Sequence, residues 1–234
     1  MKNIIPFIIL IASAISMNSC QQSQTENAEW KPLFNEKTLQ GLHIYNKGNT
    51  NSKWKEVHGE LLCDPKAEGI FGDIITDQEY ENFELKFDWR VNKGGNSGIF
   101  INVSEDSSYA ATFATGLEMQ LLDNSNAEPR HQVDSTHWAG CLYAVDCIGS
   151  ASKPNPYTQW NTGQIKQEKG EVTFWINDQI TFQGNINSQA FKDKVAGSNM
   201  INYPAFGTFK KGKIAFQNHT DSVRFKNVRI KVLN

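Results

Sequence analysis

Glu84-Leu85-Lys86-Phe87-Asp88-Trp89-Arg90-Val91 decides the fold class of this chain. Leu85, Phe87, Trp89 and Val91 alternate with Lys86, Asp88 and Arg90. Successive side chains of a strand point to opposite faces, so this run reads as a strand with one buried face. The same short alternation returns at Gly98–Val103, Gly116–Leu122, Glu171–Ile176, Gln179–Gln183, Lys213–Asn218 and Val223–Val232. Gly, Asn, Asp and Lys bound these runs, as expected of turns. Asn177-Asp178 reads as a two-residue hairpin turn, and Lys93-Gly94-Gly95 joins another pair of strands. Long helical periodicity is almost absent. Ser188 to Ala196 is expected to form one short helix capped by Asn187 or Ser188. There is no internal repeat. The pattern predicts an all-β, single-domain fold, a two-sheet antiparallel sandwich of jelly-roll type.

The chain has 234 residues. Ile4 to Met17 is an apolar run behind Lys2, too short to span a membrane, and Asn18-Ser19-Cys20 follows at once. This start resembles a bacterial lipoprotein signal, although Met17 and Asn18 depart from the usual box. Residues 1–19 are therefore expected to be a signal peptide, with Cys20 lipidated after cleavage. Residues 20–29 read as a polar, flexible tether and residues 30–234 as the folded domain. The expected product is an exported lipoprotein of the bacterial outer membrane or periplasm, held on the membrane by its acyl chains. An ordinary secretory signal and an anchor helix are the alternatives.

The formal charge is −2 and both signs are spread along the chain, so no basic stripe points to nucleic acid. Fourteen Phe, six Trp and six Tyr are many for a chain of this length; packing accounts for most of them, but aromatic faces also stack on sugar rings. Cys141 and Cys147 are six apart; on one straight strand they would lie about 20 Å apart, and only a tight turn would let them bond. Buried free thiols are the expectation for Cys63, Cys141 and Cys147.

The chemistry concentrates in Glu118-Met119-Gln120-Leu121-Leu122-Asp123. Met119 and Leu121 face one way, so Glu118 and Gln120 share the other face. Asp123 joins them only if a one-residue bulge follows Gln120. Parity sets Asn96, Gly98 and Asn102 on one face of their strand, and Ala215, Gln217 and His219 on one face of theirs. Lys86, Asp88 and Arg90 form a further polar face. Several strands thus present polar residues beside Glu118 and Gln120, although antiparallel sandwiches also carry plain solvated faces. Tyr143 and Trp160, followed by Asn161, are candidates to flank a sugar. His137, His131 and His219 are candidate acids or bases, since imidazole titrates near neutrality; His131 and His58 read first as structural.

The ordered set of segments resembles one family. It comprises Trp30-Lys-Pro-Leu-Phe-Asn with Leu39-Gln-Gly, then Trp54-Lys-Glu-Val-His-Gly-Glu-Leu-Leu. Next come Phe83 to Arg90 running into Gly94-Gly95-Asn96-Ser97-Gly98, and Glu118-Met-Gln120 with Asp123. Gly140-Cys-Leu-Tyr143, Trp160-Asn161, Lys213 to His219 and Val223 to Ile230 close the series. Together they are similar to the 3-keto-disaccharide hydrolase domain family over about residues 30–234. Thr158, Gln159, Thr220 and Asn102 depart from its usual residues. The resemblance implies a concanavalin A-like jelly roll that cleaves glycosides oxidised at carbon 3, acting in glycan degradation.

Two mechanisms compete. Glu118 and Asp123 could act as a retaining glycosidase pair, which needs carboxyls about 5–5.5 Å apart. Asp123 is short for that, and Gln120 cannot carry a charge between them. Alternatively, a carbonyl at carbon 3 acidifies the hydrogen on carbon 2, and one base suffices to start elimination of the aglycone, with water adding afterwards. Glu118 or His219 is then the base, and Arg90, Asn96 or a bound cation polarises the carbonyl. A divalent metal held by Glu118, Asp123 and a histidine is chemically reasonable. A non-catalytic carbohydrate-binding lipoprotein on the same fold and a conventional jelly-roll endo-glucanase are the rival readings.

Overall fold

A computed structural model describes Met1 and residues 29–234. The expected signal peptide beyond Met1, the expected lipidation site Cys20 and the expected tether up to residue 28 lie outside the described residues. Thirteen strands run through the rest: β1 (Lys31–Pro32), β2 (Leu42–Ile44), β3 (Trp54–Val57), β4 (Glu60–Cys63), β5 (Ile74–Thr76), β6 (Phe83–Val91), β7 (Asn96–Val103), β8 (Leu117–Leu122), β9 (Asn161–Glu168), β10 (Glu171–Ile176), β11 (Gln179–Asn185), β12 (Lys213–Phe216) and β13 (Val223–Val232). They form two antiparallel sheets. The larger has the order β11-β10-β9-β6-β13-β4-β3, with β1 also paired to β13; the smaller has the order β2-β5-β12-β7-β8. The fold is an all-β jelly-roll sandwich.

The alternation read from the sequence places the core. Phe83, Leu85, Phe87 and Trp89 point inward from β6, and Ile99, Ile101, Met119, Leu121 and Phe216 point inward from the smaller sheet. Each large apolar side chain buried this way contributes roughly 1.5–3 kcal/mol. A second, smaller cluster sits on the outer face of the smaller sheet: Tyr45, Ile75, Phe100, Val103 and Ala215. Tyr45 Oη donates to the Ser104 and Tyr109 carbonyls at 3.2 and 3.1 Å, tying the loop after β7 over that cluster.

Local readings have local causes. Asn177 and Asp178 both take left-handed backbone, φ 47° and 64°, the twist a two-residue hairpin between β10 and β11 requires. Helix α1 (Pro129–Gln132) is a single turn in the loop after β8, a segment expected to be irregular. Helix α2 (Gln189–Ala196) starts at Ser188, whose Oγ accepts from the Phe191 amide at 3.1 Å.

The structure corrects four expectations. Asn102 does not share the face of Asn96 and Gly98: its backbone takes φ 61° and its Nδ2 donates at 2.7 Å to Gln167 Oε1 of β9, in the other sheet. Lys93-Gly94-Gly95 does join β6 to β7, but it carries the chain from one sheet to the other. Lys86, Asp88 and Arg90 therefore lie on the outer face of the larger sheet, across the sandwich from Glu118. No bulge follows Gln120, since β7 and β8 pair in unbroken register from Asn96 opposite Leu122 to Ile101 opposite Leu117. Cys141 and Cys147 are disulfide-bonded, not free thiols. The segment between them is folded back: Leu142 N donates to Asp146 O at 3.0 Å, which brings the two Cα atoms to 4.8 Å. Cys63 is free and buried, its thiol pushed up to about 12 by burial first and by Asp73 second.

Candidate active site

Glu118 and Gln120 point from β8 to the outer face of the smaller sheet, and Gly98 of β7 stands opposite Gln120. Glu118 leans over that glycine. A β-carbon at position 98 would sit 2.3 Å from Glu118 Oε1, so only glycine leaves room for the carboxyl. Beyond Gly98, the Gln217 amide donates to the Gly98 carbonyl at 2.9 Å and continues the sheet past the end of β12. This brings Gln217, and after it His219, to the same face.

The other edge of β8 is covered by residues 140–143. Gly140 N donates to Gln120 O at 2.7 Å, Gln120 N to Cys141 O at 3.0 Å, and Tyr143 N to Glu118 O at 3.1 Å. The backbone of this segment therefore fixes Tyr143 beside Glu118, and the Cys141–Cys147 bond closes the loop that carries it. Behind Tyr143 the His137 ring stacks at 4.7 Å, with His131 edge-on to His137 at 5.3 Å.

These groups line a cavity of about 330 Å³. Its lining includes Asn96, Glu118, Gln120, Arg130, Tyr143, Gln217 and His219. Phe113, Met200 and Tyr203 supply its apolar lining, with Phe113 and Tyr203 packed edge to face at 5.2 Å. A larger groove of about 860 Å³ runs beside β1 and the end of β13. It is remote from the buried carboxyl, so chemistry rather than size singles out the smaller cavity.

Burial in this cavity, and secondarily the charge of Asp73, pushes the Glu118 carboxyl up to about 8; the Gln217 side chain works the other way. Tyr143 is raised by burial and then by Glu118. His131 is lowered to about 4, by burial first and then by Arg130 and His137, so its ring is neutral at physiological pH. Asn96 Oδ1, Gln217 Oε1 and His131 Nδ1 are buried without a hydrogen-bond partner. Orphaned buried acceptors are rare and call for an occupant or a role.

Glu118, Gln120, Asn96, Tyr143 and His219 are thus brought together, and His137 supports Tyr143. Four other sequence candidates fall elsewhere. Asp123 is buried, and its Oδ2 accepts from Gly94 N at 2.9 Å and Asn126 Nδ2 at 2.8 Å, so without the bulge it braces the turn between sheets. Arg90 and Trp160 meet on the opposite face of the sandwich, with the guanidinium 4.6 Å from the ring centroid. Asn161 is buried and its Oδ1 accepts from Asn155 N and Asn177 Nδ2, which ties down a loop. A metal held by Glu118, Asp123 and a histidine is not assembled, and no cluster of three or more His, Cys, Asp or Glu suited to a metal occurs among the described residues. Arg130, Phe113, Met200 and Tyr203 escaped sequence reasoning. They come from single-turn segments between strands, where no periodicity announces a direction.

Over residues 29–231 the chain matches the profile of the 3-keto-alpha-glucoside-1,2-lyase-like domain. It belongs to that family. Among curated relatives of this 3-keto-alpha-glucoside-1,2-lyase-like chain, a 3-keto-disaccharide hydrolase of Bacteroides thetaiotaomicron is 30% identical over 227 residues, 86% of this chain and 78% of the relative. A crystal structure from Parabacteroides distasonis that bears a provisional glycosyl hydrolase name is 31% identical, with a TM-score of 0.79, over 88% of this chain and 94% of that one. A carbohydrate binding module from Bacillus subtilis shares the fold, with a TM-score of 0.50 at 10% identity over 82% of this chain and 95% of that module.

Proposed function

We propose that this chain is a glycan-acting hydrolase, and that its substrates are glycosides carrying a ketone at carbon 3 of the sugar. The observation that carries this reading is Glu118, a buried carboxyl in a cavity, raised to about 8 with no cation paired to it. A base of that strength suits removal of a weakly acidic C–H. The unpartnered oxygens of Asn96 and Gln217 are acceptors, and sugar hydroxyls are donors. The family and its Bacteroides thetaiotaomicron relative, named a 3-keto-disaccharide hydrolase, support the same substrate class.

In this scheme the Glu118 carboxylate takes the proton from carbon 2. The electron pair moves onto the carbon 3 oxygen, where the Asn96 amide and the Arg130 guanidinium stabilise the enolate. The enolate oxygen then re-forms the carbon 3 carbonyl, the pair between carbons 2 and 3 shifts to make a double bond between carbons 1 and 2, the bond from carbon 1 to the leaving oxygen breaks, and His219 protonates that oxygen. Water adds across the new double bond, so the net reaction is hydrolysis. Phe113 and Tyr203 give the leaving group an apolar wall.

The test is a side-by-side incubation with a 3-oxidised and an unmodified glucoside. Only the oxidised sugar should be cleaved, and comparable turnover of both would sink the proposal. Because the base must be ionised, kcat/KM should climb with pH up to the raised value near 8 and level off above it.

We also propose that the chain is exported and lipidated at Cys20. The Cys141–Cys147 bond is what an oxidising compartment permits. Labelled fatty acid should enter the wild-type chain and not C20A, and equal labelling of both would overturn the assignment.

A further inference from the structure

Asp73 lies outside the cavity lining, yet the strand registers place it on the same sheet face as Glu118. Ile74 of β5 pairs with Phe216 of β12, so Asp73 stands opposite Gln217. Phe216 pairs with Ile99 of β7, and the Gln217 amide donates to the Gly98 carbonyl, so Gln217 stands beside Gly98. Gly98 in turn faces Gln120. Asp73, Gln217, Gly98 and Gln120 thus form one row across four strands. Neighbouring strands are about 4.8 Å apart, which sets the Asp73 and Gly98 backbones roughly 10 Å from each other.

Both carboxyl groups lean into that gap. Glu118 reaches over Gly98 towards Gln217. Asp73 is turned towards β12 by the Asn218 amide, which donates to its Oδ1 at 2.9 Å, and Thr112 Oγ1 donates to Oδ2 from the opposite side. Two donors on one carboxyl hold it in place and favour its charged form. Only the Gln217 side chain does as much for Glu118. Two carboxyls on one sheet face, with only the Gln217 strand between them, cannot both ionise cheaply, and the one with more donors is the first to take its charge.

We propose that Asp73 is a positioning residue whose fixed charge governs, through space, when Glu118 gives up its proton. The inference rests on the role given to Glu118 above, and it names the regulation of that same site. The titratable and charged groups around Glu118 are Asp73, Tyr143, His219 and Arg130; those around Asp73 are Glu118, Cys63 and His219. Burial outweighs Thr112, Asn218 and His219 at Asp73, so its carboxyl is also held above the ordinary value, and its charge is what adds to the rise at Glu118.

The experiment is a carboxyl titration of the full chain by infrared difference spectroscopy, with E118Q identifying the Glu118 band. In D73N the Glu118 midpoint should fall by about one pH unit or more. T112V, which keeps Asp73 but removes one of its donors, should lower it by less. The rising limb of kcat/KM should move by the same amount. A midpoint unmoved in folded D73N would overturn the proposal. Should D73N fail to fold, D73S, which also removes the charge, is read in the same way. A chain inactive on 3-oxidised glucosides whose Glu118 midpoint still shifts in D73N would refute the reaction proposed above and support the role of Asp73.

Discussion

The two outer faces of the sandwich are built from the same alternating strands and end as chemical opposites. On the smaller sheet, amides and the carboxyls of Glu118 and Asp73 gather, with no cation paired to Glu118 and with Asn96 and Gln217 short of partners. On the larger sheet, charges stand in pairs. Arg224 Nη1 bonds Glu60 at 2.6 Å, and the Trp160 ring meets both the Arg90 guanidinium and the Lys226 ammonium, 4.6 and 4.1 Å from its centroid. One face leaves Asn96 Oδ1, Gln217 Oε1 and His131 Nδ1 buried without partners at a cost in stability, and the other leaves Arg90 Nε. Unpaid hydrogen-bonding capacity marks the working face, whereas the number of charges does not.

The largest effect should follow E118Q. If Glu118 is the base, kcat should fall by about 10²–10⁴ with the fold intact. Stability should move the other way at neutral pH. The folded chain keeps this proton up to about 8, while an unfolded glutamate loses it near 4.5, so stability from Glu118 is lost as pH rises between those values. The amide never ionises and avoids that loss. A thermal melt across pH 5 to 8 checks it: the wild type should weaken relative to E118Q as pH rises. A variant that is inactive and also less stable throughout would mean that Glu118 supports the fold instead.

Next in size is G98A. The added β-carbon would fall 2.3 Å from Glu118 Oε1, against a side-chain end that can swing aside. Displacing the carboxyl by about an ångström is expected to reduce kcat by roughly 10². The melting temperature should barely change, because alanine loses less entropy than glycine in a strand. Activity equal to wild type would show that the carboxyl does not work from where it lies.

These two variants also separate what the sequence disclosed from what it withheld. Parity along β8, β7 and β12 was enough to place Glu118, Gln120, Asn96 and Gln217 on one face, because a strand's period is fixed by its backbone. Parity says nothing about which sheet a strand joins. Lys86 and Arg90 alternate as cleanly as Glu118 and Gln120, and the crossing at Lys93-Gly94-Gly95 sends them to the far side. Asp123 was misplaced because its role depends on a turn: its carboxyl accepts from Gly94, a residue 29 positions earlier. Arg130, Phe113 and Tyr203 reach the cavity from short turns, and the Cys141–Cys147 bond depends on a fold-back made by backbone hydrogen bonds. All are long-range or aperiodic facts with no repeating trace in the chain.

The smallest effect tests the opposite face directly. Trp160 precedes β9 and carries a cation over its ring from each of two strands, Arg90 of β6 and Lys226 of β13. Each such contact at a part-exposed site is worth about 0.5–1 kcal/mol. W160A should therefore cost about 1–2 kcal/mol of stability, read as a lower denaturant midpoint with unchanged slope. Its kcat and KM on a 3-oxidised glucoside should stay at wild-type values, since nothing on that face reaches Glu118. A raised KM in W160A would mean that substrate touches both faces, and the division of labour between the two sheets would have to be abandoned.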